Sequence, residues 1–509
     1  MTTVSSPRRV LILIDLQNEF LDPKNGNFPI PESTRRDLLD RLKLLVPAFR
    51  DGDMLDDERE NTVIWVRAEY DERNSEKDRK EDDDDEFDSS NNFLSGTHTG
   101  KTPCCVPGSH GAKFHPEIEA LTMESVDHIV KKSRFSSFAD TDLSEYLVRN
   151  EIEEVWIAGL LSNVCVLATL VDGLKRLPDV RFGVVEDCLG YLREKSHQKA
   201  LQEMRELRTG NADNRETGNE DGVRFTQSTE FTKPKLYYVN GSIPSWRVII
   251  ALNEKGIPFN AFRMRVMTRP KPTRTPRFLN LNERGKTPVF IDYALPAGSG
   301  YGNGVSDGAR TIVNESLAVL QYIEDYYPSG QHLLPPLSDR ALRAEVFSLI
   351  QESENIHWIY DDLEDAFFEA KSSDAEENRV ERWSDFVENV RPEMVKKVEG
   401  EIQHWEVYLR GTLEGEQGTG LRAVRRARRT GPFLAGTEYM TLADCAFYPI
   451  MAYMEHRGFR ADRVDETGTK KWPALEGYMR FMEGLQSVRM AVPEGWEKRG
   501  RTNIFGGMK

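Results

Sequence analysis

Residues 153–177 open Glu153-Glu154-Val155-Trp156-Ile157-Ala158-Gly159-Leu160-Leu161-Ser162-Asn163-Val164-Cys165 and continue Val166-Leu167-Ala168-Thr169-Leu170-Val171 to Leu177. Val155 to Ala158 is a short apolar run ended by Gly159, the pattern of a buried strand. From Val164 small and apolar residues continue without Gly or Pro until Gly173, which suits a helix packed on a sheet. Cys165 then falls on the first helical turn. There the unpaired backbone N–H groups and the positive end of the macrodipole favour a thiolate and predict a lowered thiol pKa. A buried cysteine acting as a small hydrophobe fits the same stretch.

Working outward, Val10 to Ile14 is another continuous apolar run, the mark of a central parallel strand. It ends at Asp15-Leu16-Gln17-Asn18-Glu19-Phe20, with an acid where open α/β sheets place their sites; a turn or cap role for Asp15 is the plainer reading. A helix over Thr34 to Phe49 follows, then strands at Thr62 to Val66, His128 to Val130 and Phe182 to Val185. Strands alternating with helices predict an α/β, doubly wound parallel sheet over residues 1–207. Within it, 71–92 is dominated by charge and reads as a disordered acidic insertion. No Gly stands at the position an EF-hand loop needs.

The chain has 509 residues, too many for one core, and 39% hydrophobic residues, enough for several. Its net charge of −16 argues against nucleic-acid and anionic-membrane partners. Five cysteines make no disulfide framework, and their spacing makes no zinc site. No segment reads as a signal peptide or membrane span, so a cytoplasmic protein is expected.

Four stretches now carry a resemblance. Asp15 to Phe20, then Val106-Pro107-Gly108-Ser109-His110-Gly111-Ala112 with His115-Pro116-Glu117, then Lys131 to Phe138 with Thr141-Asp142-Leu143, and finally Gly159 to Val166, resemble, in order, the motifs of the isochorismatase-like cysteine hydrolases. The resemblance implies a triad of Asp15 as base, Lys132 and the nucleophile Cys165. Lys131 is the rival for the lysine; Arg134 and Ser136 stand at the family's spacing from Lys132. It also implies a cis peptide near Leu160-Leu161, with the N–H groups of Leu161 and Cys165 forming an oxyanion hole. Arg67-Ala68-Glu69-Tyr70-Asp71 lacks the histidine of the nicotinamidase metal motif, so no metal is expected. Relatives that cleave the isochorismate vinyl ether generally lack the cysteine. An amide or ureido substrate fits better.

Residues 208–232 are rich in Gly, Asn, Asp, Glu, Thr and Ser and read as a flexible linker. Beyond it, strands at Leu236 to Val239 and Phe259 to Arg263 flank a helix from Trp246. Thr287 to Ile291 and Thr311 to Val313 read as a hairpin around a Gly-rich loop that lacks a phosphate-binding signature. Ser242 with Ser245-Trp246-Arg247-Val248, Gly285-Lys286-Thr287-Pro288 and Asn314-Glu315-Ser316-Leu317-Ala318-Val319 resemble the thioredoxin-like half of a zeta-like glutathione S-transferase. That implies a thioredoxin-like domain over 233–330 and an all-α domain over 331–509. Glutathione would meet Ser242, Thr287, a cis-Pro288, Glu315 and Ser316. The physics agrees: N–H groups and a hydroxyl at a helix N-terminus suit a carboxylate, and Thr287 before a cis-proline exposes its backbone to a peptide. Ordinary capping remains open for Glu315-Ser316. Thr441-x-x-Asp444 reads as a capping box. The basic run 421–429 reads as a solvated insertion, a partner contact being the alternative.

The expectation is a bifunctional fusion of hydrolase and glutathione transferase acting on small molecules, forming a homodimer or higher homo-oligomer. A hydrolase whose transferase fold only binds or dimerises, and a transferase with an inert hydrolase half, are the alternatives.

Overall fold

The computed structural model describes residues 8–52, 61–70, 104–123, 126–207, 222–265, 271–294, 310–372, 376–410, 430–496, 500 and 502–506. The acidic run 71–92, the basic run 421–429 and linker residues 208–221 lie outside them. The chain divides into two compact units, residues 1–234 with 291–312 and residues 235–290 with 313–509.

The first unit holds a six-stranded sheet in the order β3-β2-β1-β4-β5-β6. Its strands are β1 (Arg9–Ile14), β2 (Thr62–Ala68), β3 (His128–Lys132), β4 (Glu154–Gly159), β5 (Arg181–Leu189) and β6 (Arg224–Thr226). Every neighbouring pair is parallel. Val10 to Ile14 are fully buried, as a central strand covered on both faces requires. The helix Glu32–Asp51 buries Leu38, Leu42, Leu45, Val46 and Phe49, a stripe at helical spacing. This order reverses direction between β1 and β4, and ligands of open α/β sheets bind at the carboxyl ends of strands at such a switch point.

Residues 224–232 depart from the linker expectation. Arg224–Thr226 extends the sheet beside β5, and Ser228–Thr232 is a helical turn. Asp187 holds that turn, accepting from the Ser228 N–H at 2.7 Å and its hydroxyl at 2.6 Å. Phe225 and Phe231 pack against the core. Three strand residues are too few to show a period, so their pairing with β5 carries the structure.

A second sheet, of four strands, has the order β10-β9-β7-β8. These are β7 (Lys235–Tyr238), β8 (Asn260–Arg263), β9 (Val289–Tyr293) and β10 (Arg310–Asn314). The helices of the second unit include Arg340–Lys371, Arg391–Arg410, Leu442–His456 and Pro473–Gly484. Ile243, Trp246 and Ile250 of helix Ile243–Glu254 belong to the same apolar core as Val346, Trp405 and Phe447. Arg247 is buried there, donating to the Ala446 carbonyl at 3.0 Å and pairing with Glu354.

The capping box forms as its residues predict. The Asp444 carboxylate accepts from the Thr441 N–H and hydroxyl, both at 2.8 Å, and also from the Leu434 N–H at 2.7 Å. Asp444→Ala removes the cap and strands buried donors, so a loss of about 2–4 kcal/mol is expected in urea unfolding. A loss below about 1 kcal/mol would show that water replaces the carboxylate.

Candidate active site

Asp15 follows β1, Lys132 ends β3, and Leu160 to Cys165 follow β4, so all three lie at carboxyl ends of the same sheet. Asp15 adopts φ 53, and its N–H donates to the Val66 carbonyl at 2.9 Å. Gly159 has φ 117, and a Cβ there would stand 2.2 Å from the Ile14 carbonyl oxygen, so only glycine lets β4 end so close to β1. The Leu160-Leu161 peptide is cis.

The structure brings Asp15, Lys132 and Cys165 together. Lys132 Nζ lies 2.8 Å from Asp15 Oδ2 and donates to the Phe135 carbonyl at 2.8 Å. Asp15 and Lys132 are the charged groups that act most strongly on the Cys165 thiol. Asp15 is 0% exposed, Lys132 1% and Cys165 3%. Strand parity separates the two lysines: Val130 and Lys132 point inward, while Lys131 is exposed and faces Glu69.

Burial governs the protonation of this cluster. It pushes the Asp15 carboxyl up, and Lys132 offsets that only in part. Burial works against the Lys132 ammonium, but Asp15 and Cys165 beside it lift its pKa above the ordinary lysine value. Burial pushes the Cys165 thiol up to about 12, with Lys132 opposing and Asp15 adding to the rise. The expected lowered thiol pKa is therefore overturned. Ser162–Val166 is a π-helical turn, with the α-helix starting at Leu167. At a site this dry, desolvation of a thiolate outweighs the helix dipole and the nearby ammonium. Burial therefore favours the protonated thiol at Cys165.

Gln17 lies in the first of the four motifs, two residues after Asp15. Its amide accepts from the Ala68 N–H at 2.8 Å and donates to the Ala68 and Ala112 carbonyls, both at 2.8 Å, so it locks the end of β2 to the loop at 112. Tyr70, two residues on, places its hydroxyl 3.8 Å from Cys165 Sγ. Local sequence does not single it out, because only the fold carries the end of β2 to the sulfur. Among the described residues no group of three or more His, Cys, Asp or Glu could hold a metal ion. Glu69, near the position of the nicotinamidase motif, pairs with Arg67 at 3.0 Å.

In the second unit, Ser242 precedes helix Ile243–Glu254 and makes no side-chain capping bond. Its backbone N–H donates to the Val239 carbonyl at 3.1 Å. The neighbouring Ser245 hydroxyl instead accepts from the Val239 N–H at 3.3 Å. Thr287-Pro288 is cis and leads into β9. Glu315 is exposed with φ 69, and Ser316 is buried at the start of helix Ser316–Tyr326. These residues thus follow β7, precede β9 and follow β10, three neighbours in one sheet. No described helix is long and apolar enough to cross a membrane.

Residues 9–212 match the isochorismatase domain family, and residues 242–325 match the glutathione S-transferase N-terminal domain family. The chain is 22% identical over 263 residues to glutathione S-transferase A of Pleuronectes platessa, covering 51% of this chain and 92% of that protein. It is 37% identical over 89 residues to the ureidoacrylate amidohydrolase RutB of Methylorubrum extorquens, covering 17% of this chain and 32% of that one. Several further curated relatives are covered over about half of their length. A glutathione S-transferase structure from the Antarctic clam Laternula elliptica aligns at 25% identity and a TM-score of 0.38, over 54% of this chain and 99% of that one. The chain thus resembles the isochorismatase domain family over residues 9–212 and the glutathione S-transferase N-terminal domain family over residues 242–325.

Proposed function

We propose that the first unit hydrolyses an amide or ureido C–N bond of a small molecule through a thioester on Cys165. The observation that carries this reading is the buried Lys132–Asp15 pair beside the buried Cys165, whose thiol both charges influence. Cys165 Sγ attacks the carbonyl carbon as its proton passes to Asp15. The N–H groups of Leu161 and Cys165 receive the developing oxyanion. Asp15 returns the proton to the leaving nitrogen and then deprotonates the water that cleaves the thioester. Lys132 keeps Asp15 ionised and steadies the anionic states. Similarity to a ureidoacrylate amidohydrolase supports the substrate class. Intact-mass analysis of the full chain with a panel of amides and ureido acids tests it. An acyl adduct on Cys165 is expected; turnover of a panel member without involvement of Cys165 would refute the reading.

The second unit, in this reading, binds glutathione, with Ser242 lowering the thiol pKa for conjugation or double-bond isomerisation. Ser316 and the adjoining helix N-terminus take the γ-glutamyl carboxylate, Glu315 takes its ammonium, and Thr287 before Pro288 pairs with the peptide backbone. Similarity along 92% of a glutathione transferase supports this. Ser316→Ala is expected to weaken glutathione binding about tenfold by calorimetry, the worth of one hydrogen bond to a charged group. Ser242→Ala should leave binding intact and reduce conjugation. Equal binding by Ser316→Ala and its parent would remove Ser316 from the site.

A further inference from the structure

We propose that Tyr70 is a fourth catalytic residue, a hydrogen-bond donor to the Cys165 sulfur. This rests on the reading of Cys165 as the nucleophile.

The tyrosine is fixed from three sides. Gln17 clamps Ala68 on both its N–H and its carbonyl. The Glu69 N–H donates to the Lys132 carbonyl at 2.8 Å, and the Tyr70 N–H donates to the Cys105 carbonyl at 3.2 Å. The backbone that carries the phenol is thus tied to the residue supplying the ammonium and, through Gln17, to the turn supplying the carboxylate. The hydroxyl so placed lies 3.8 Å from Cys165 Sγ, within reach of a hydrogen bond to sulfur. A ring that merely filled space would not need an oxygen aimed there, and phenylalanine would fill the same volume.

The three polar neighbours of the sulfur then divide the work. In the attack, the S–H bond breaks toward Asp15 and the S–C bond forms, while the carbonyl π pair moves to oxygen. Charge accumulates on sulfur before the new bond is complete. The Tyr70 hydroxyl donates to it there, in a dry site where such a bond is strong. Burial, with Cys165 and Asp15 close by, holds the phenol well above its ordinary pKa. Tyr70 therefore keeps its proton throughout and acts as a donor, never as an acid. When water opens the thioester, the C–S bond breaks and sulfur leaves with the electron pair. Asp15 returns the proton to sulfur, and the same phenol supports the departing charge.

The test needs no knowledge of the substrate. The full chain is treated with iodoacetamide across pH, and alkylation of Cys165 is followed by peptide mass spectrometry. Tyr70→Phe keeps the ring and removes the donor. Alkylation about tenfold slower, with its pH curve displaced to the alkaline side, is expected. A packing role predicts the opposite sign or no change, so equal or faster alkylation overturns the proposal. A parent enzyme whose Cys165 resists iodoacetamide at every pH overturns the nucleophile reading and this proposal with it. If Tyr70→Phe does not fold, Tyr70→Gln (a donor) is compared with Tyr70→Leu (no donor). Faster alkylation in the glutamine variant supports the assignment, and equal rates sink it.

Discussion

Cys165→Ala is expected to abolish the proposed amide hydrolysis, lowering kcat by at least about 10⁴-fold, while the thermal transition of the chain moves by only a few degrees. The two halves of this expectation have separate causes. Loss of sulfur removes the only group in the cluster able to form the acyl intermediate, and Asp15 with Lys132 cannot replace it. The structural cost is small because one buried sulfur gives way to a slightly larger void, worth about 1 kcal/mol. Serine is a harsher test of mechanism: its hydroxyl is close to isosteric but a poorer nucleophile beside the same base. Hydrolysis by Cys165→Ala within tenfold of the parent would show that acyl transfer does not pass through this residue.

Lys132→Met is expected to cost both activity and stability. Lys132 and Asp15 are buried together, so removing the ammonium leaves a carboxylate in a dry core without its counter-ion. Breaking one side of such a pair costs about 3–5 kcal/mol, part of it relieved when the carboxyl takes up a proton. The double variant Asp15→Asn with Lys132→Met should therefore be more stable than Lys132→Met alone, yet equally inactive. Because burial already raises the Asp15 pKa and Lys132 restrains the rise, the single variant raises it further. The folded value then lies above the unfolded one. The stability deficit is full at pH above the folded value and shrinks as pH falls through it. Urea titrations at several pH values measure this; a deficit independent of pH would mean that Asp15 does not sense Lys132.

The same shifts shape the pH profile of the parent enzyme. With Asp15 as the proposed base, kcat/KM is expected to decline as pH drops through a value above the usual carboxylate range. The thiol, at about 12, adds no limb across neutral pH. A limb near pH 8 that vanished in Cys165→Ser would instead identify a pre-formed thiolate.

Read from residues alone, the parallel sheet was legible because Val10 to Ile14 and Val155 to Ala158 are short apolar runs of the length and composition of buried strands, and these are β1 and β4. The positions of Asp15 and Cys165 at their carboxyl ends follow from the same runs, as does the Thr441–Asp444 cap from local spacing. Choosing Lys132 over Lys131 by sequence required a family resemblance; in three dimensions it is the two-residue period of β3 that turns one lysine inward. Local sequence could not indicate the protonation of Cys165. Its helical-turn position predicts a low pKa, whereas the surrounding strands exclude the water a thiolate would need. Tyr70, Gln17 and the strand at 224–226 share that dependence on distant partners. Hydrophobic pattern and local hydrogen bonding act between residues near in sequence and so show in it directly, but desolvation and the meeting of β2 with the sulfur exist only after the sheet has assembled.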